Sequence, residues 1–109
     1  MKRTAALVVF MSLASPVFAA DAPANQIAIN EYMYMPATLN IAAGTKVTWV
    51  NHDEVPHTIV DSGPDKVFHS AALDTDETYS YTFTKPGTYH YFCTLHPKMV
   101  GTIVVADAK

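Results

Sequence analysis

Residues 87–99 read GTYHYFCTLHPKM, and this stretch decides both the fold and the chemistry that the sequence predicts. Its first half alternates, so that Tyr89, Tyr91 and Cys93 fall on one face of a predicted strand. Two aromatic residues that lead to the cysteine indicate a buried face. The thiol of Cys93 is therefore expected to point into the interior at the end of a core strand.

The chain must turn after Cys93, and the turn carries two further side chains that bind metals. Pro97 fixes its own φ and restricts the backbone of His96. A short, stiff loop can thus present a thiolate, an imidazole and the thioether of Met99 to one point. A trigonal site of two histidines and one cysteine, with a weak axial methionine, is typical of blue-copper electron transfer. One further histidine is required.

His57 is the predicted second histidine, because it follows Pro56 directly and a Pro-His step fixes an imidazole better than a charged turn does. The alternative, His52, lies in the polar turn 51–54. His69 and His90 are expected to be exposed to solvent. The predicted metal ligands are His57, Cys93, His96 and Met99.

Two other interpretations of these residues remain open at this point. Structural zinc also uses cysteine and histidine, but it takes four such ligands and no thioether, so Met99 favours copper. Alternatively, Cys93 and Met99 are ordinary core residues with surface histidines nearby. That interpretation must also explain a single cysteine, which has no internal disulfide partner.

The N-terminus predicts export. Lys2 and Arg3 precede an apolar stretch that gives way to small residues, which is typical of a cleaved secretory signal over residues 1–20. Residues 21–109 then form a single domain, and the expected location is the periplasm. The apolar run is shorter than the roughly 20 residues of a membrane-spanning helix, so no stable membrane insertion is expected.

The charge of the mature chain bears on its partners. Without the signal, five basic residues, all lysine, remain against ten acidic residues. Nucleic acid is disfavoured, because phosphate contacts require clustered Lys and Arg. A protein partner with a basic surface is the better expectation.

Short runs rich in Val, Ile, Thr, Tyr and Phe, separated by turn residues, predict an all-β fold. The strands are expected near 26–32, 38–42, 46–51, 57–60, 78–84, 87–93 and 101–106. Turns at 43–45 and 85–87 are expected to form tight antiparallel connections, and 65–73 to form a short helix or an irregular excursion. Two antiparallel sheets would pack as a Greek-key β-sandwich. Its expected core contains Ile27, Ile29, Leu39, Ile41, Val47, Trp49, Tyr79, Tyr81, Phe83, Tyr89, Tyr91, Ile103 and Val105.

The spacing Cys93-x-x-His96-Pro97-x-Met99 resembles the cupredoxin family of type 1 blue copper proteins. It is most similar to the short ligand loop of amicyanins, whereas plastocyanin and pseudoazurin have a longer His-to-Met spacing. The similarity extends through residues 44–51, 55–57 and 79–89. Thr58 departs from the amicyanin pattern, which usually has Asn there, so the usual side-chain link between the ligand loops is in doubt.

The resemblance implies a cupredoxin-like sandwich that holds one copper ion per chain, cycling between Cu(I) and Cu(II). His57, Cys93 and His96 would be its equatorial ligands and Met99 its axial ligand. Electrons would pass through the exposed edge of His96, surrounded by an apolar patch that includes Leu95 and prolines.

The implied function is one-electron transfer between larger redox proteins, without enzymatic activity. The partners would be a dehydrogenase, a c-type cytochrome or a copper reductase, and the carrier itself a monomer. The alternative is a copper-binding or trafficking protein of the exported compartment. A copper enzyme is a third hypothesis, disfavoured by the single domain and the few spare histidines.

Overall fold

The computed structural model describes residues 25–108, and the predicted signal peptide lies outside the described residues. The described chain folds into eight β-strands: β1 (Gln26–Asn30), β2 (Met33–Met35), β3 (Thr38–Ala42), β4 (Thr45–Asn51), β5 (Val60–Asp61), β6 (Thr78–Phe83), β7 (Gly87–Phe92) and β8 (Val100–Ala106). Over this part of the chain we find no helix of the length and apolarity that crossing a membrane requires.

The strands form two four-stranded sheets, in the orders β2-β1-β4-β6 and β3-β8-β7-β5. The expected all-β sandwich of two sheets is confirmed. The expectation that both sheets are antiparallel was wrong, because β1 pairs with β4 in parallel and β3 pairs with β8 in parallel. Local alternation indicates which face of a strand is buried, but it does not indicate which strand lies beside it.

The two predicted tight antiparallel connections were also wrong. The turn after β3 leads to β4 and the turn after β6 leads to β7, and in both cases the two strands belong to different sheets. Gly44 allows the first crossing with a φ of 96°, which glycine adopts at little cost. Its N–H donates to the carbonyl of Phe83 at 2.6 Å, so the two crossings lie side by side.

Two predicted strands differ from the structure by more than one residue at an end. The strand expected over 26–32 ends at Asn30, because Glu31 and Tyr32 adopt positive φ angles of 53° and 62°. The chain reverses there, and β2 pairs antiparallel with β1. The strand expected over 57–60 is reduced to β5, and His57 instead forms an isolated bridge with Leu73. Residues 65–73 form the irregular excursion rather than the helix.

The core is built around Trp49, whose ring lies 5.5 Å from Tyr91 and 6.0 Å from Phe68. Burying each such side chain stabilises the fold by about 2–3 kcal/mol. Most predicted core residues are buried, whereas Ile41, Tyr79, Tyr81 and Tyr89 are only partly buried. The prediction missed four buried hydrophobic residues that lie outside the long strands: Tyr34, Ile59, Phe68 and Leu73.

Candidate metal centre

Three of the four predicted ligands converge at one end of the sandwich. The sulfur of Cys93 lies 3.7 Å from Nδ1 of His57 and 3.8 Å from Nδ1 of His96. One donor atom from each of the three residues lies within 4.8 Å of the others. A trigonal ion with bonds of about 2.0–2.3 Å separates its ligand atoms by roughly 3.7 Å. These separations therefore suit a single ion bound by all three residues.

Cys93 follows the last residue of β7 and is fully buried. The backbone N–H of Thr58 donates to its sulfur at 3.3 Å. Cysteine binds metals through its sulfur as the thiolate, and this N–H points at that sulfur. The expected inward orientation of this side chain is what the structure shows.

The loop from Cys93 to Met99 is held by its own backbone. The N–H of His96 donates to the carbonyl of Cys93 at 3.3 Å, and that of Met99 to the carbonyl of His96 at 2.9 Å. The N–H of Cys93 donates to the carbonyl of Met99 at 3.1 Å, which closes the loop. Met99 is 5% exposed and lines the same pocket as the half-buried His96.

His57 is fully buried, and each nitrogen of its ring has a different neighbour. Nε2 lies 2.8 Å from Oδ2 of Asp53, while Nδ1 faces the sulfur of Cys93. An ionised carboxylate can only accept a hydrogen bond, so Nε2 carries the proton. The lone pair of Nδ1 is then free to bind a metal.

Sequence reasoning did not identify Asp53, which is the residue that orients His57. Its carboxylate also accepts the backbone N–H groups of Glu31 at 2.7 Å and Tyr32 at 2.9 Å. Partial burial by itself would raise the pKa of Asp53. The two N–H groups and the His57 ring lower this pKa by more than burial raises it, so the pKa lies below the usual range. The carboxylate is therefore ionised at neutral pH. The spacing of four residues from Asp53 to His57 was the available signal.

The other histidines lie away from this cluster. His52 is exposed and lies 4.0 Å from Asp76, and His69 and His90 are also exposed. Among the His, Cys, Asp and Glu side chains of residues 25–108, one group of three is placed to hold an ion: His57, Cys93 and His96. The structure thus brings His57, and not His52, to the cysteine.

Thr58 connects the two loops that carry the predicted ligands. Its hydroxyl oxygen accepts the N–H of Thr94 at 2.7 Å and lies 2.9 Å from the hydroxyl of Thr94. The backbone carbonyl of Thr58 accepts the hydroxyl of Tyr34 at 2.6 Å. The side-chain link that the substitution of Thr for Asn placed in doubt is therefore present, made by a hydroxyl group.

Exposed apolar side chains surround His96. Tyr32, Leu95 and Pro97 line one shallow pocket with it. Met33 and Val100 line an adjoining pocket that shares Tyr32, Lys98 and Met99 with the first. Leu95 is 48% exposed and Val100 is 61% exposed. We call the residues Tyr32, Met33, Leu95, Pro97 and Val100 the His96 face.

Comparison with known proteins gives a consistent family. The family model described as "Cupredoxin-like domain" matches residues 3–105. Amicyanin from Paracoccus versutus is 38% identical over 96 residues, which cover 83% of this chain and 72% of that protein. Amicyanin-alpha from Methylorubrum extorquens is 38% identical over 89 residues, covering 79% and 75%. The chain belongs to the cupredoxin family.

Solved structures agree with this assignment and with the expected cofactor. The "Novel Purple Cupredoxin from Nitrosopumilus maritimus" superposes with a TM-score of 0.70 at 35% identity, covering 74% of this chain and 98% of that one. A Cu(I) form of a mutant amicyanin superposes with a TM-score of 0.71 at 31% identity, covering 79% and 85%. The soft, buried donor set fits the same metal. Copper as the cofactor is confirmed.

Proposed function

We propose that this chain is a type 1 (blue) copper protein that carries single electrons between larger redox proteins. His57, Cys93 and His96 are its equatorial ligands and Met99 its axial ligand. The observation that carries the proposal is the group of three donor atoms within 4.8 Å, with the buried Met99 lining the pocket of His96. Bound copper supplies the one-electron chemistry, since it cycles between Cu(I) and Cu(II).

The chain's own residues limit how far the ligands can move. Cys93 and Met99 are joined by a backbone hydrogen bond where β7 and β8 meet. His57 is held by Asp53 on one side and by backbone hydrogen bonds with Leu73 on the other. A site held in this way requires little rearrangement between oxidation states, which favours rapid electron exchange.

The His96 face supports docking of a redox partner. His96 is half-buried, whereas His57 and Cys93 are fully buried, so His96 offers the shortest path to the surface. Weak redox encounters use small interfaces, commonly below about 1,200 Å² in total. The acidic balance of the chain favours a partner with a basic surface. A dehydrogenase, a c-type cytochrome or a copper reductase fits this description, with the carrier itself a monomer.

We also propose that the carrier acts in the periplasm after removal of residues 1–20, as the N-terminal sequence supports. Mass spectrometry of the protein from a periplasmic extract would measure the mature N-terminus. The expected mass is that of a chain beginning at Ala20 or Asp21. A protein that keeps Met1, or that stays in the cytoplasm, would contradict export.

Copper delivery is the second candidate, and the exposed thioethers of Met33 and Met35 favour it, because soft thioethers bind Cu(I). The two functions differ in what leaves the protein. A carrier exchanges electrons quickly and releases copper slowly, whereas a delivery protein does the reverse. Measuring electron self-exchange by NMR beside copper loss to a chelator separates the two.

Replacing the axial ligand tests the site most directly. Met99→Gln is expected to lower the reduction potential while copper remains bound, because the axial ligand tunes the potential of such sites. Voltammetry of the purified protein measures the change. Met35→Gln is the matched control, since this methionine is exposed and lies outside both pockets at the His96 face, and the potential of this variant should equal that of the wild type. An unchanged potential in Met99→Gln would refute the axial role.

A further inference from the structure

Tyr32 lies against both predicted histidine ligands. Its ring centroid is 4.7 Å from that of His96, with the ring planes at 86°, and 5.2 Å from that of His57, at 83°. Both contacts are edge-to-face, which is a favoured geometry for aromatic pairs. The two imidazoles are themselves 5.0 Å apart, so the three rings form one cluster. Nothing in the sequence motif indicates such a contact.

The backbone holds Tyr32 in a conformation that it would not adopt unaided. Its φ of 62° and that of Glu31, 53°, lie in the left-handed region. A bulky residue is a genuine outlier there, and such residues persist only where the surroundings hold them. Strained residues of this kind concentrate at functional sites.

Asp53 supplies the hold. Its Oδ1 accepts the N–H of Glu31 and its Oδ2 accepts that of Tyr32. The same Oδ2 lies 2.8 Å from Nε2 of His57. One carboxylate therefore fixes both a histidine ring and the backbone of the tyrosine that packs against it.

Tyr32 also separates the centre from solvent. Its side chain is 48% exposed and lines the pocket of His96 together with Leu95 and Pro97. The tyrosine ring thus contacts both imidazoles and is partly exposed to solvent. Removing the ring would take away the contact that it makes with each imidazole on the side of this pocket.

We propose that Tyr32 is a positioning residue of the copper centre: its ring fixes the angles of the His57 and His96 imidazoles and shields the metal from solvent. The inference rests on the proposed ligand set. It assigns to the turn between β1 and β2 a direct part in copper retention, although this turn supplies no ligand. The strain at Glu31 and Tyr32 is then the cost of bringing this ring to the site.

Two variants separate the ring from the backbone. Tyr32→Asn removes the ring but suits the backbone, because Asn adopts left-handed φ more readily than other non-glycine residues. Tyr32→Phe keeps the ring and removes the hydroxyl. Val67→Ala is the control, since Val67 is 43% exposed and belongs to neither pocket at the His96 face.

Three quantities would be measured for the wild type and the three variants. They are the rate of copper release to a chelator, the visible spectrum, and the urea midpoint of the metal-free protein. Tyr32→Asn should release copper about tenfold faster, the size expected from losing aromatic contacts, and should shift the thiolate band. Its metal-free midpoint should stay close to that of the wild type, because relief of the backbone strain offsets the lost aromatic contacts. Tyr32→Phe and Val67→Ala should match the wild type.

The outcomes are distinguishable. Wild-type release and spectrum in Tyr32→Asn, with the wild type itself blue, would overturn the role of Tyr32 and leave the proposed function intact. Faster release in both Tyr32 variants would overturn it too, because the hydroxyl and not the ring would then matter. A lower metal-free midpoint in Tyr32→Asn that parallels the faster release would reduce the residue to a structural role. A colourless wild type would contradict the proposed function itself.

Discussion

The carboxylate of Asp53 lies 2.8 Å from Nε2 of His57, on the side of the imidazole opposite the Cys93 sulfur. A carboxylate in this position fixes the tautomer and the orientation of the ring. With His57 as a ligand, as proposed, Asp53 would contribute to copper affinity without touching the metal. It also connects the turn between β1 and β2 to the centre.

Asp53→Asn should weaken copper binding by about 10- to 100-fold, which is the usual effect of losing such a partner. The amide keeps the shape of the side chain but removes its charge. A competition titration with a chelator measures the affinity. Glu54→Gln is the matched control, because this neighbouring acidic residue is exposed and has no part in the network. Equal affinities in Asp53→Asn and Glu54→Gln would contradict the assigned role.

Thr58→Val should loosen the connection between the two ligand loops. The variant keeps the shape of the side chain but leaves the N–H of Thr94 without its acceptor. The expected loss of unfolding free energy is about 1–3 kcal/mol, with faster copper release. Urea unfolding of the metal-free protein checks the first effect, with exposed Thr82→Val as the control. A Thr58 variant as stable as its control would show that the link contributes nothing.

Alkaline pH should destabilise the fold through Tyr34. Burial, followed by the nearby Cys93 and Tyr91, raises the pKa of Tyr34 well above its usual value. The unfolded chain loses this proton near pH 10, roughly the ordinary tyrosine pKa, while the folded chain keeps it. Stability is therefore full below that pH and falls as pH rises beyond it.

Urea unfolding of the metal-free protein, at neutral pH and in steps above about pH 10, measures this effect. Tyr34→Phe should be less stable at neutral pH by about 1–3 kcal/mol, because the carbonyl of Thr58 loses its buried donor. Its stability should then decline less steeply with rising pH. Equal slopes in the two proteins would refute the assignment to Tyr34.

Gly101→Ala should destabilise the sandwich. Gly101 lies opposite Tyr91 in the β7–β8 pair, and a Cβ atom there would overlap the fully buried Tyr91 ring. Overpacking of this kind costs about 1–3 kcal/mol. In Gly63→Ala, the new Cβ meets its nearest neighbour, a carboxylate oxygen of Asp61, at 3.4 Å. Urea unfolding should show a clearly smaller loss for this control, and equal losses would contradict the packing argument.

The sequence indicated the strands and most of the core, because alternation and β-branched residues are local features. β3 has the predicted bounds. The start of β4 and the end of β6 each differ from the prediction by one residue. Strand pairing was not predictable in this way, since it depends on where the chain crosses between sheets. Phe68 and Leu73 were missed because the irregular excursion that buries them has no hydrophobic period.

The candidate centre was predictable where its residues lie close together in the sequence. Cys93, His96 and Met99 fall within one short loop, and Pro56 marks His57. Asp53 binds the backbone of Tyr32 across 21 residues of sequence, and no local pattern reveals this contact. The two residues with left-handed φ, Glu31 and Tyr32, are neither glycine nor asparagine, the residues that would indicate such a turn.

The visible absorption spectrum of the mature protein with one equivalent of Cu(II), compared with that of Cys93→Ser, tests whether Cys93 binds copper in a type 1 centre. The wild type should show an intense blue band that disappears in the variant, because a thiolate bound to Cu(II) gives this band and an alcohol does not. Equivalent spectra for the two proteins, or a wild type that binds copper without colour, would contradict a type 1 copper centre at Cys93.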